Sequence, residues 1–219
     1  MTRVASVKEH IEAMLAEKLD HFLKDEGFMR RKRSNVYTRR IPEGKQTIEV
    51  AYDVSPRYAS EAAAHVLPKL GVLLARVNEI AVQMASDTRT LGGAEATLFQ
   101  PIDMVAPKSE NPRWLPASRD DFLEVGDEIR SFLARWVVPF LNEYRSAEAL
   151  VRGYEQNDWR LLLVQPWYIY VAAAYVVLNA PEKARDVVET KLGAPGSRKR
   201  FAPVFAYFER EIMSEGLRE

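Results

Sequence analysis

The sequence predicts an α+β fold in which an antiparallel sheet is flanked by an N-terminal helix and a long central helix. Three observations carry that expectation. Residues 7–26 place apolar side chains at helical spacing. Residues 47–54 alternate apolar and polar side chains, the period of a half-buried strand. From Ser118 onward the spacing is helical again, almost to the end. The expected organisation is an α+β domain over residues 1–145 and a helical extension over 146–219, packed on or beside it.

Taken in order, Ser6-Val7-Lys8-Glu9 has the pattern of a capping box, in which the hydroxyl and carboxylate satisfy free amides of a first turn. Val7, Ile11, Met14, Leu15, Leu19, Phe22 and Leu23 form the stripe of this first helix, and Gly27 is placed to end it in a left-handed conformation. A hairpin follows. Its loop is expected at residues 41–45, where Pro42 presets the backbone and Gly44 supplies a positive φ. In the returning strand Ile48, Val50, Tyr52 and Val54 alternate with Thr47, Glu49, Ala51 and Asp53. On the outgoing side Arg30 to Arg33 interrupt any apolar face, which puts them where the strand leaves the sheet.

A third strand is expected from His65 to Leu74, at an edge or bulge because Pro68 has no N–H to donate. Val77, Ile80, Ala81 and Met84 predict a short helix, Gly92-Gly93 a turn, and Ala96 to Val105 a further strand containing Pro101. Residues 106–117 read as loop, with a short strand around Trp114. Ser118-Arg119-Asp120-Asp121 repeats the capping box and opens the longest helix, its stripe running from Phe122 to Tyr144, with a kink at Pro139. Ser146 starts a shorter helix to Tyr154. Helices over about 166–179, 181–192 and 199–213 complete the chain by their spacing, with Asn179 ending one, Pro181 starting the next and Phe201, Val204, Phe205, Phe208 and Ile212 as the last stripe.

Composition narrows the chemistry. With 47% hydrophobic and 28% charged residues the chain has the make-up of a globular protein. Lys plus Arg balances Asp plus Glu at 31 each, so attraction to nucleic acid or membrane has to come from a local patch. No cysteine is present, which excludes disulfides, thiolate nucleophiles and cysteine-ligated metals and is compatible with a cytoplasmic location. Between Leu161 and Leu178, Gln165 and Pro166 leave a run well short of the ~20 residues a membrane span requires, so a buried helix and no membrane are expected.

The residues Gly27-Phe28-Met29-Arg30-Arg31-Lys32 followed by Asn35-Val36-Tyr37-Thr38-Arg39 form a helix end, a Gly-Phe, a basic run and an aromatic strand. With Pro68-Lys69-Leu70-Gly71-Val72 and Trp136-Val137-Val138-Pro139-Phe140-Leu141, this pattern resembles a bacterial domain-of-unknown-function family with relatives among toxin-immunity proteins. The resemblance implies an α+β fold with a twisted antiparallel sheet, implies no catalytic residues, and does not extend to the helical tail after residue 146.

The candidate site is the basic cluster Arg30, Arg31, Lys32, Arg33, Arg39 and Arg40, with Tyr37 among them. Guanidinium groups on a hairpin can hold phosphates while Phe28 or Tyr37 stacks on a base, or they can meet an acidic protein. The plain alternative is a solvated face whose arginines pair with Glu49, Asp53 or carboxylates elsewhere and guard a sheet edge. A second cluster, Arg198-Lys199-Arg200, reads as the cap of a flexible loop. His10, His21 and His65 make no metal site by their spacing, and no phosphate-binding, nucleophile-elbow or dinucleotide motif is present. No cofactor is expected. First in rank is a bacterial protein, more non-enzymatic than enzymatic in character, that binds another protein in an immunity-like or regulatory role. A nucleic-acid-binding module using the hairpin ranks second. A metal-dependent hydrolase using Glu49, Asp53 or Asp103 ranks third.

Overall fold

A computed structural model describes residues 3–91, 96–110 and 112–215, with the backbone alone for residues 3 and 211–215. The Gly92-Gly93 turn and the Ile212 side chain lie outside that description. The fold is α+β, with a twisted antiparallel sheet flanked by N-terminal and central helices and followed by C-terminal helices. Among the described residues five strands run in the order β1-β2-β3-β4-β5: Met29–Arg30, Val36–Ile41, Gly44–Val54, Ala64–Leu74 and Leu98–Pro101. By compactness the chain divides into residues 1–41, 45–71 and 99–143 on one side and 42–44, 72–98 and 144–219 on the other. This division is interleaved in sequence, unlike the single boundary at 145/146 expected above.

In the first unit, α1 (Arg3–Met14) passes through a π turn (Leu15–Leu19) into α2 (Asp20–Asp25). The helix is already formed at Arg3, so Ser6 and Glu9 lie inside it rather than capping it. Nothing between Arg3 and Ala5 breaks a helix, and Ala5 is among the best helix formers. Of the predicted stripe, Val7, Ile11, Met14, Leu15, Leu19 and Leu23 are buried and Phe22 is half-buried. Gly27 takes φ +82°, the Gly27 N–H donates to Lys24 O, and the Phe28 N–H donates to Leu23 O. These two bonds are the Schellman ending, and the buried Leu23 and Phe28 side chains supply its apolar contact.

Several strand expectations need correction. The outgoing strand is two strands: β1 pairs antiparallel with β2, Met29 opposite Thr38 and Arg30 opposite Tyr37. Pro68 is not on an edge strand, because β4 lies between β3 and β5. The Val66 N–H donates to Trp114 O, and the Thr97 N–H donates to Val72 O, with Pro68 falling between these anchor points. The strand expected over 96–105 covers Leu98–Pro101 alone, since a 3-10 turn takes over at Ile102–Val105. The short strand at Trp114 is a single antiparallel bridge to Val66.

The second capping box is formed as predicted. Ser118 Oγ accepts from the Asp121 N–H, and the Asp121 carboxylate accepts from the Ser118 N–H at 2.9 Å, opening α4 (Arg119–Phe132). A π turn (Leu133–Val137) leads into α5 (Val138–Glu143) and ends two residues before Pro139, which has no N–H for the regular ladder. Gly126 lets α4 approach the N-terminal helix. A Cβ there would stand 2.8 Å from Cγ of both Met14 and Lys18, and the adjacent Asp127 accepts from Lys18 Nζ at 2.6 Å.

The second unit is built on α3 (Ala75–Ala85) and the helices from residue 144 onward: α6 (Ala147–Glu155), α7 (Trp167–Val177), α8 (Pro181–Leu192), α9 (Pro195–Arg200) and α10 (Ala202–Glu215). α7 packs on α3, α6 and α8, which explains why its apolar residues run all round and why Ile169 to Tyr175 are buried. No described helix is long and apolar enough to cross a membrane. Asn179, at φ +56°, ends α7 with a second Schellman pair, the Ala180 N–H to Tyr175 O and the Asn179 N–H to Val176 O. Arg198-Lys199-Arg200 caps no loop; Pro195 starts a helix there, and Arg198 pairs with Glu189 at 2.7 Å.

The turn joining β2 and β3 corrects another detail. Gly44 does not adopt a positive φ. It is needed for closeness, because a Cβ on Gly44 would sit far inside contact distance of the Leu73 carbonyl oxygen.

Candidate binding face on the basic hairpin

Strand alternation divides the basic cluster in two. Arg30 and Tyr37 face each other across β1 and β2, and Arg39 lies two residues from Tyr37, so all three share one face of the hairpin. Met29, Thr38 and Arg40 share the other. The first face turns inward: Tyr37 is 1% exposed and the Arg30 side chain 7%.

Arg30 is the hub of a charged network. Its Nε and Nη2 donate to Asp20 Oδ1 and Oδ2 at 2.8 and 2.7 Å, and its Nη1 donates to Glu12 at 2.9 Å and to the Ser34 carbonyl at 3.0 Å. The Tyr37 hydroxyl donates to Asp20 Oδ1 at 2.6 Å. Burial works to raise the Asp20 pKa, but the bonds from Arg30 and Tyr37 outweigh it and hold the carboxyl below its ordinary value. Bonding to Asp20 raises the Arg30 pKa, while burial and the bond to Asp20 raise that of Tyr37.

A π turn lies between the two carboxylates of this network. Glu12 and Asp20 are eight residues apart, which in a regular helix would turn them roughly 80° from each other. The extra residue in the wide turn Leu15–Leu19 removes most of that rotation, so one guanidinium reaches both carboxylates. Glu49 and Asp53, named from the sequence as possible partners for the arginines, do not pair with Arg30; Glu12 and Asp20 do, and they lie on the first helix, where no spacing within the hairpin points to them.

Arg39 is also structural. Its Nε and Nη2 donate to Gln46 Oε1 at 3.0 and 2.7 Å, its Nη1 donates to the Glu26 carbonyl at the end of α2, and its guanidinium lies 4.4 Å from the Phe28 ring centroid. Gln46 is fully buried on β3 and donates in turn to the Leu141 carbonyl on α5. Phe28 and Tyr37 are each 1% exposed, so neither ring offers a face to a base, in contrast to the stacking role considered for them.

Arg31, Lys32, Arg33 and Arg40 are exposed and pair with no carboxylate among the described residues. Met29, 62% exposed, lies beside them. The loop that carries the first three is held firmly. The Ser34 N–H donates to Arg31 O, the Val36 N–H to Ser34 Oγ, and Asn35 exchanges two hydrogen bonds with Val50 on β3. Arg33 sits at φ +63°, a left-handed conformation uncommon for a side-chain-bearing residue. Beside it lies a groove of about 530 Å³ with Ile11, Leu15 and Tyr52 in its lining and Lys8, Glu9, Glu12, Arg33, Ser34 and Asn35 as its polar residues.

The remaining candidates are dispersed. His10 packs on Phe122, His21 pairs with Asp25, and His65 meets the Tyr58 hydroxyl. Glu49 and Asp53 lie on β3 and Asp103 in the 3-10 turn. Among the described residues no group of three or more His, Cys, Asp or Glu side chains is placed to hold a metal ion. Comparison of the chain with protein-family models, with curated proteins and with solved structures finds no match.

Proposed function

We propose that this chain is a protein-binding module, cytoplasmic and immunity-like or regulatory in role, which takes an acidic segment of a partner on the Arg31-Lys32-Arg33 loop. The observation that supports this reading is the division of the basic cluster. Arg30 and Arg39 are used internally, Arg30 on the Ser34 carbonyl of the loop and Arg39 on Gln46, while Arg31, Lys32, Arg33 and Arg40 stand exposed and unpaired with any carboxylate among the described residues. Holding cations in place before the partner arrives lowers the ordering cost of binding. Met29 and the neighbouring groove add apolar area, so a partner with an apolar side chain beside its acids fits better than a bare polyanion. The toxin-immunity resemblance accords with such a role.

The test is capture from the native organism with wild-type protein and with the Arg31→Glu/Arg33→Glu variant, at two salt concentrations. A stoichiometric protein is expected on the wild type at both, with affinity for the variant lower by about 100-fold, since each reversal replaces attraction with like-charge repulsion. Arg57→Glu, at an exposed arginine in the β3–β4 loop, is expected to bind as wild type. Capture unaffected by the double reversal would overturn the proposal. Nucleic acid retained at low salt alone would move the nucleic-acid reading ahead of it.

A further inference from the structure

β3 outruns the strand beside it. The Val50 N–H donates to Asn35 O, and the Asn35 side-chain amide donates to Val50 O, which sets Asn35 opposite Val50. The residues before Asn35 turn away, with the Ser34 N–H bonded to Arg31 O, while β3 runs on to Val54. Its other side stays paired to the end, where the Ser55 N–H donates to Ala63 O. Backbone groups along a strand alternate between its two sides. Since Val50 faces β2 and Ser55 faces β4, Tyr52 and Val54 aim their N–H and C=O groups into the lane that β2 has left. No strand fills that lane among the described residues.

Open edges of this kind recruit a further strand from another chain unless proline, a bulge or charge blunts them. Tyr52 and Val54 keep their N–H donors, and their side chains lie on the opposite face from the exposed Asp53. On the Tyr52 face lies the groove of about 530 Å³, with Ile11 and Leu15 in its wall. Its cations are Lys8 and Arg33; of its two acids, Glu12 is held by Arg30, which leaves Glu9. Arg31 and Lys32 stand next to Arg33, so the lane is most positive at its loop end, and Asp53 disfavours acids along β3 itself. A second copy of this chain fits poorly, because antiparallel pairing of two such edges centred on Asp53 sets that carboxylate against its own counterpart.

We infer that the Tyr52–Val54 edge takes an extended segment of the acidic partner as an added strand, antiparallel to β3 as β2 is. The segment carries apolar side chains at alternate positions over the groove and carboxylates at its C-terminal end, next to Arg33. This rests on the partner-binding reading above and states how the partner's segment lies. Main-chain bonds supply attachment in such an arrangement, and alternate side chains supply selectivity. Residues directly opposite each other on antiparallel strands share a face. The apolar residues that meet the groove are therefore the ones whose amides bond to Tyr52 and Val54.

The probe is the acetylated and amidated peptide Thr-Val-Thr-Val-Thr-Glu-Glu-Glu, titrated into the isotope-labelled full chain and followed through the Tyr52 and Val54 amide resonances. Both are expected to shift saturably and to exchange with solvent about tenfold more slowly. N-methylation of the valines is expected to weaken binding by about tenfold or more, whereas N-methylation of the threonines leaves it unchanged. Val54→Pro removes an edge donor and leaves the Ser55–Ala63 bond in place, and the same loss is expected there. Should that variant not fold, the two methylated peptides decide alone. No binding, unmoved Tyr52 and Val54 amides, equal binding of both methylated peptides, or a peptide-free dimer in which these amides are already protected would overturn the inference. Peptide binding that Arg31→Glu/Arg33→Glu abolishes but valine methylation does not would overturn the added strand and leave the basic-loop reading standing. The reverse pattern supports the strand and removes the basic loop from partner binding.

Discussion

Gly44→Ala is expected to cost about 3 kcal/mol or more of folding stability, a large part of what a domain of this size commonly has. The added methyl would overlap the Leu73 carbonyl oxygen and crowd the Ala75 amide at 3.3 Å. Backbone cannot give way there without loss elsewhere. The Ala75 N–H donates to Glu43 O at 2.8 Å, and the Glu43 carboxylate accepts from the Ala147 N–H at 3.0 Å at the start of α6. Moving the turn to admit the methyl therefore strains two hydrogen bonds that hold residues 42–44 to the rest of their unit. Urea denaturation followed by circular dichroism measures the cost. Gly196→Ala serves as the comparison, since nothing lies within 4 Å of the added Cβ, and there a gain of about 0.5–1 kcal/mol is expected from helix propensity. A Gly44→Ala midpoint equal to that of the wild type would show that close approach is not what this glycine provides.

The role of Gly44 marks the limit of what could be read from the sequence. A glycine after Pro-Glu in a hairpin loop is local information, and it led to a left-handed turn residue. The real reason is the Leu73 carbonyl, nearly thirty residues away, which no local pattern reports. Features set by spacing within one element fared better. The burial stripe from Val7 to Leu23 (half-buried Phe22 apart), the Ser118–Asp121 capping box, the ending at Gly27 and the turn at Asn179-Ala180-Pro181 form as expected, because each depends on residues within a few turns of one another.

The candidate site was legible as a cluster but not as a division of labour. Seven positions from Arg30 to Arg40 were grouped by charge and proximity, whereas their faces depend on where β1 ends and β2 begins. Once Arg30 stands opposite Tyr37, alternation assigns Arg30, Tyr37 and Arg39 to the inside and Arg40 to the outside, and the intervening loop leaves Arg31, Lys32 and Arg33 in solvent. Two-residue strands such as β1 are too short to announce themselves by periodicity. The π turn between Glu12 and Asp20 was hidden for a related reason, since helical-wheel reasoning assumes 3.6 residues per turn throughout.

Arg30→Met is expected to destabilise the protein by about 2–3 kcal/mol near neutral pH, and the deficit is expected to shrink in acid. A fully buried pair broken on one side costs more, but Asp20 and Glu12 are 39% and 44% exposed, so water solvates them in part once the guanidinium is gone. The pH dependence follows from Asp20, whose pKa lies below its ordinary 3.8 in the folded protein. A depressed carboxyl pKa adds stability that is complete above the ordinary value and is lost as pH falls through the folded one. The variant lacks that support and has less to lose, so urea midpoints of the two proteins should converge below pH 3.8. A deficit of equal size in acid and at neutrality would mean that packing of the Arg30 stem, not charge, is what Arg30 supplies. The same variant also bears on function. Arg30 donates to the Ser34 carbonyl and so ties the exposed loop to the helix, though little of the side chain itself reaches solvent. Arg30→Met should therefore weaken partner capture along with stability, whereas Arg31→Glu/Arg33→Glu should weaken capture and leave the urea midpoint unchanged. That contrast separates the residues that build the face from those that meet the partner.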